Sequence, residues 1–134
     1  MAMLVEYRDE VCARIATDLA EWGMRVIRAQ SAGEALRMCG RYDPFLVVAN
    51  LDLPDQSGWL LAGKLRLVDR RIRVWLYQPR LSRHDKGMAK YLHVDALLDY
   101  GGDLLGLSET ILDLMADRRE PTNTAIDALD LIAT

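Results

Sequence analysis

An α/β domain, its parallel sheet covered by helices on both faces, is the fold class this sequence predicts. Three observations carry it. Short apolar runs alternate with longer stretches of helical period, about five times over. One run, Phe45-Leu46-Val47-Val48-Ala49, is apolar at every position, as a central strand covered on both sides requires. The chain has 134 residues, 51% hydrophobic and 28% charged, which is one globular domain with its own core.

The elements follow in order. Met3-Leu4-Val5 is the first strand. A helix from Asp9 to Trp22 comes next, because Val11, Ile15, Leu19 and Trp22 recur on one face, and Gly23 caps it. Met24 to Ala29 is the second strand. Ser31 and Glu34 make a capping box for a helix carrying Ala35, Leu36, Met38 and Cys39, which Gly40 is expected to end. Phe45 to Ala49 is the third strand, and Asp52-Leu53-Pro54-Asp55-Gln56-Ser57-Gly58 is a loop of turn-forming residues. Trp59, Leu60, Leu61 and Leu65 give a helix. Ile72 to Tyr77, rich in β-branched and aromatic residues, is the fourth strand, stopped by Pro79. Ser82 opens a helix to about Leu92. Val94 to Leu98 is the fifth strand, and Asp103 caps a last helix from Leu104 to Asp117.

Strands separated by helices pair in parallel through right-handed crossovers. Five such units make a flavodoxin-like, doubly wound (βα)5 fold around a central five-stranded parallel sheet. Its sites lie at the carboxyl ends of the strands, here Glu6-Tyr7, Asn50 to Gly58, Gln78-Pro79 and Asp99-Tyr100-Gly101. The domain covers residues 1–119. Residues 120–134 are a C-terminal tail, where Ile126, Leu129 and Ile132 make a short amphipathic stripe.

Composition excludes several functions. A net charge of -3 does not suit a nucleic-acid polycation. No apolar stretch approaches the ~20 residues of a membrane span. Glu6 comes too early for a signal peptide, so the expected compartment is the cytoplasm. Cys12 and Cys39 fall within helices and read as small buried hydrophobes. His84 and His93 lack neighbours at metal-ligand spacing and read as surface or helix-end residues. There is no P-loop, dinucleotide fingerprint or nucleophile elbow, and no cofactor or metal is expected.

Leu53-Pro54-x-x-x-Gly58 follows a buried strand. Trp22-Gly23-Met24 precedes the second strand, and Ser31-x-Gly33-Glu34-Ala35-Leu36 follows it. Over roughly residues 1–117 this pattern resembles the receiver domain of bacterial response regulators. The resemblance implies an aspartate after strand three that takes a phosphoryl group, and two acids after strand one that hold Mg²⁺. It also implies a Ser or Thr after strand four and a Lys after strand five on the phosphoryl oxygens. Carried over residue by residue, the aspartate position is Asn50, four residues before Pro54. The acid pair is Glu6 and Tyr7, the hydroxyl is Gln78, and the lysine is Tyr100, followed by Gly101 where the family has Pro. The switching aromatic of strand five is Leu97.

Each departure has a consequence. An amide is a poor nucleophile. Tyr7 removes a hard carboxylate, and Tyr100 brings no positive charge. The expectation is therefore a stand-alone pseudo-receiver, not an enzyme. With no output domain in these residues, its output is expected to be binding to a protein such as a signalling kinase or regulator. Two alternatives stand beside it. One is an atypical receiver phosphorylated on a displaced acid such as Asp52; the other is a flavodoxin-like small-ligand binder. Asp52 and Asp55 otherwise read as solvated loop acids before a turn.

Charge is unevenly spread. Residues 64–90 hold nine Lys/Arg against two acids, a net of +7, while residues 91–134 hold two against nine, a net of -7. The last helix is apolar on more than one face. In receivers helix four, strand five and helix five form the usual partner surface. A two-fold homodimer there is expected to set Arg83, Lys86 or Lys90 near Asp95, Asp99 or Asp113, with Leu112 between the copies. The tail stripe is expected either to cover the last helix or to engage a partner.

Overall fold

In the computed structural model, which describes residues 1–117, strands and helices alternate strictly. They are β1 (Ala2–Val5), α1 (Asp9–Glu21), β2 (Val26–Ala29), α2 (Ala32–Tyr42), β3 (Leu46–Asn50), α3 (Gly58–Val68), β4 (Arg73–Gln78), α4 (Arg83–Tyr91), β5 (Ala96–Asp99) and α5 (Leu104–Asp117). The strands form one parallel sheet in the order β2-β1-β3-β4-β5. This is the doubly wound arrangement expected, and the chain switches direction across the sheet beside β1 and β3.

Strand alternation sends side chains to opposite faces. Met3, Val5, Val47, Ala49, Val74, Leu76 and Leu97 pack under α2, α3 and α4. Leu4, Leu46, Val48, Trp75, Tyr77 and Leu98 pack under α1 and α5. Trp75 and Tyr77 are therefore core residues and unavailable to stack on bases.

Helix starts follow local chemistry. The hydroxyls of Ser31, Ser57 and Ser82 accept from Glu34 N, Leu60 N and Asp85 N, and Ser82 with Asp85 forms a complete capping box. Several boundaries differ from expectation. Helix α2 does not end at Gly40; it runs on to Tyr42, and Asp43 terminates it in the left-handed conformation (φ 51°) just before Pro44. An exposed glycine lowers helix stability by about 1 kcal/mol without stopping the helix. Strand β2 begins at Val26 rather than Met24, β3 is shifted by one residue to Leu46–Asn50, and β5 runs from Ala96 to Asp99 rather than from Val94 to Leu98. The expected tail stripe lies outside the described residues.

Candidate functional site

Parallel pairing brings the ends of β1, β3, β4 and β5 to one edge. Asn50, the last residue of β3, pairs with Tyr77, and Gln78 pairs with Asp99. Glu6 follows β1 and Tyr100 follows β5. The positions picked from the sequence therefore share this edge, though their side chains divide into two groups.

The inner group centres on Glu6, which is fully buried. Its Oε1 accepts from Tyr77 Oη at 2.8 Å, Asn50 Nδ2 at 3.1 Å and Arg8 Nη2 at 3.0 Å. Its Oε2 accepts from the Arg8 backbone N at 2.9 Å and Arg8 Nε at 3.3 Å. Arg8 Nη2 also donates to Tyr100 Oη at 3.4 Å, and the Tyr77 and Tyr100 rings meet edge to face. The bond to Glu6 raises the Arg8 pKa above its ordinary value. Burial, with the Glu6 charge beside it, raises the Tyr77 phenol well above its own, so Tyr77 stays a donor.

The second group points outward. Tyr7 is 41% exposed, and the Arg8 guanidinium lies 5.8 Å from its ring centroid. Gln78 lines an open cleft of about 620 Å³ with Asp52, Ser57, Trp59, Arg80 and His84. Asp52 is exposed there, two residues past the strand end. Asn50 Oδ1 accepts from the Asp52 backbone N at 2.9 Å, which turns the chain out of the strand. Gly58 allows the loop to return against that turn. A Cβ on Gly58 would sit 2.8 Å from Leu51 Cα and 2.9 Å from Asn50 O, both backbone atoms.

Asp55 is more than a solvated loop acid. Its carboxylate accepts from Ala32 N at 3.0 Å and Gly33 N at 2.8 Å, closing the N-terminus of α2 from another loop. The Gly33 bond is the main reason its pKa lies below the ordinary value. The residues expected at the dimer surface differ in how far they are engaged within the chain. Asp95 is engaged within the chain, accepting from Arg66 Nη2 at 2.9 Å and Val74 N at 2.7 Å. Asp99 accepts from Leu81 N and Gly101 N. Leu112 is only half-buried, and Leu105 is the exposed leucine of α5, at 55%. Arg83, Lys90 and Asp113 are exposed and Lys86 half-buried, as a contact surface requires.

Sequence reasoning missed Arg8, the cation of the site. The signal was an Arg two residues after the strand-end acid, where a tight turn can fold it back. A divalent cation at the inner group would find one carboxylate, Glu6, whose oxygens already accept from five donors. Among the described residues no three His, Cys, Asp or Glu side chains cluster as metal ligands. Cys12 and Cys39 are buried, and burial pushes the Cys39 thiol up to about 11, so neither is a ready nucleophile. No helix among the described residues is long and apolar enough to cross a membrane.

No protein-family model matches the chain. The transcriptional regulatory protein KdpE of two Mycobacterium tuberculosis strains is 28% identical over 131 residues, 93% of this chain and 54% of that protein. The chain thus spans about half the length of these curated relatives. Among solved structures, the chemotaxis response regulator CheY4 of Vibrio cholerae is 15% identical, with a TM-score of 0.73 over 84% of this chain and 95% of that one. The phosphorylated cyanobacterial phytochrome response regulator RcpA is 20% identical, with a TM-score of 0.78 over 90% and 94%. The Mn²⁺-bound form of response regulator Rcp1 is 18% identical, with a TM-score of 0.78 over 90% and 95%. The fold is that of response-regulator receiver domains, as the resemblance read from the sequence implied.

Proposed function

We propose that the chain is a receiver-type module of bacterial two-component signalling that acts by binding proteins, without a phosphotransfer cycle. The observation that carries this reading is the environment of Glu6. An aspartate would be the nucleophile at the end of β3; Asn50 is there instead and donates its amide to Glu6. A divalent cation would neutralise the phosphoryl oxygens; here a tethered cation, Arg8, already neutralises Glu6, the acid of the inner group. Tyr100 offers a phenol where a lysine would offer charge. Binding to a kinase or regulator, or to a second copy across α4, β5 and α5, is then the module's output.

The test is incubation with acetyl phosphate, with and without Mg²⁺, followed by intact-mass measurement. The expected result is no added phosphoryl group under either condition. A stoichiometric, base-labile label would overturn the proposal, and mapping it to Asp52, the exposed acid of the cleft, would install the displaced-acceptor reading.

A further inference from the structure

Four of the eight exposed large hydrophobic side chains among the described residues lie on α3 and α4. Leu60, Leu67 and Val68 of α3 are 49%, 88% and 66% exposed, and Tyr91, in the last turn of α4, is 78% exposed. Leu60 and Leu67 stand two helical turns apart, so they form one ridge, opposite the buried Leu61 and Leu65. The core does not need this ridge: nothing under the sheet is filled by it. Isolated exposed leucines are ordinary, whereas a line of them beside an exposed aromatic marks a contact surface.

The two helices lie side by side, bridged by side chains. Near their starts, Trp59 Nε1 donates to Asp85 Oδ1 at 3.2 Å. Near their ends, Arg66 donates to the carbonyls of Leu92 and His93 at 3.4 and 2.6 Å. Between these bridges Gly63 lowers the wall of α3; a Cβ there would lie 3.7 Å from Leu92 Cδ2. These contacts set α3 beside α4 as a furrow-like seam, in which half-buried Leu92 lies against Gly63 and Arg66 ties the helix ends together.

The ground around it is basic. Residues 64–90 carry nine Lys/Arg against two acids. Of these, Arg70, Arg73 and Lys90 make no ion pair among the described residues, while Asp69 is held by Arg71 and Asp85 by its capping bonds. An apolar furrow on a basic ground favours an amphipathic helix with acidic flanks. The apolar stripe would bury the leucine ridge, and the acids would meet the unpaired cations. We propose that the α3–α4 furrow docks an acidic amphipathic helix of a partner protein. This holds whether or not the Asn50 edge takes a phosphoryl group, so the two proposals fail separately.

The test is an NMR titration of the isotope-labelled full chain with two synthetic helices of roughly 15 residues. Both carry the same leucine stripe; one has Glu and the other Lys on its polar face. The expected result is that the acidic helix shifts amides of residues 60–68 and 88–93. Raising salt from about 50 to about 300 mM should weaken it several-fold, and Leu67→Asp about tenfold or more. Tyr91→Ser should weaken it too, and Leu105→Asp on α5 should leave it unchanged. These are exposed positions, so the variants should keep the parent melting temperature. No shift in the two segments, equal binding of the Lys helix, or indifference to Leu67→Asp overturns the proposal. Cross-relaxation between Leu67 and residues 118–134 in the free chain also overturns it, because the furrow would then be filled from within.

Discussion

Arg8 and Glu6, two residues apart, form an ion pair of 3.0 Å in which the acid is fully buried and the arginine side chain 37% exposed. The turn after β1 thus supplies a buried carboxylate with its own counter-ion. Removing the cation leaves the acid to Tyr77 and Asn50 alone. Arg8→Met should cost about 1–3 kcal/mol, less than for a fully buried pair because the arginine side chain is partly exposed to water. Adding Glu6→Gln should recover at least half of that in urea unfolding. In the parent protein, millimolar Mg²⁺ should leave Tm within about 1 °C, since stabilisation by mass action requires binding.

Restoring an aspartate at Asn50 should destabilise the fold. Asn50 Nδ2 donates to Glu6 Oε1 at 3.1 Å, and Asn50→Asp would face a carboxylate against a carboxylate. The new acid's folded pKa would rise above its unfolded value of about 3.9. The penalty should be near zero below that pH and grow as pH rises through it, reaching about 1–3 kcal/mol at neutrality. Urea unfolding of parent and variant at acid and neutral pH checks both sign and size.

Asp55 gives the opposite dependence. Its folded pKa is depressed, chiefly by the Gly33 N–H, so its contribution is complete above the unfolded value and is lost as pH falls through the folded one. Asp55→Ala should cost about 0.5–2 kcal/mol at neutral pH, the range for a lost helix cap, and much less in acid. Amide exchange at Ala32 and Gly33 should accelerate in the variant.

Arg66 joins α3 to the two connections that precede β4 and β5, donating to the carbonyls of Arg70, Ile72, Leu92 and His93 and to Asp95. A lysine ammonium cannot reproduce that planar fork. Arg66→Lys should therefore cost about 2–4 kcal/mol in chemical denaturation, nearly as much as Arg66→Met.

For the homodimer, the engaged acids Asp95 and Asp99 leave Asp113 as the free partner for Arg83 or Lys90. Sedimentation at about 50 μM should show a dimer that moderate salt weakens only slightly, as rim ion pairs contribute about 0–1 kcal/mol each. Leu105→Asp should dissociate it, and Leu112→Asp should do less, because Leu105 is the more exposed. A monomer in the parent protein at that concentration would remove the dimer.

The strands and helices were legible because their signals are local. The apolar run at β3, the 3.6-residue stripe of α1 and the serine caps of α2 and α4 each act within a few residues. Strand alternation with helices then fixed the parallel sheet, and the spacing to Pro54 placed Asn50 at its edge. What the sequence left open were partnerships between distant side chains. Tyr77 meets Glu6 across 71 positions, Asp55 caps a helix 22 positions before it, and Arg66 claims Asp95 from 29 positions away. A hydrogen bond needs its atoms within a few tenths of an ångström, and only the packed sheet sets distances that finely between distant segments. The sequence by itself determined which residues stand at the edge. The tertiary structure decided that Arg8, rather than Tyr7, turns inward to hold Glu6, because Tyr77 and Tyr100 enclose the place where its charge lies.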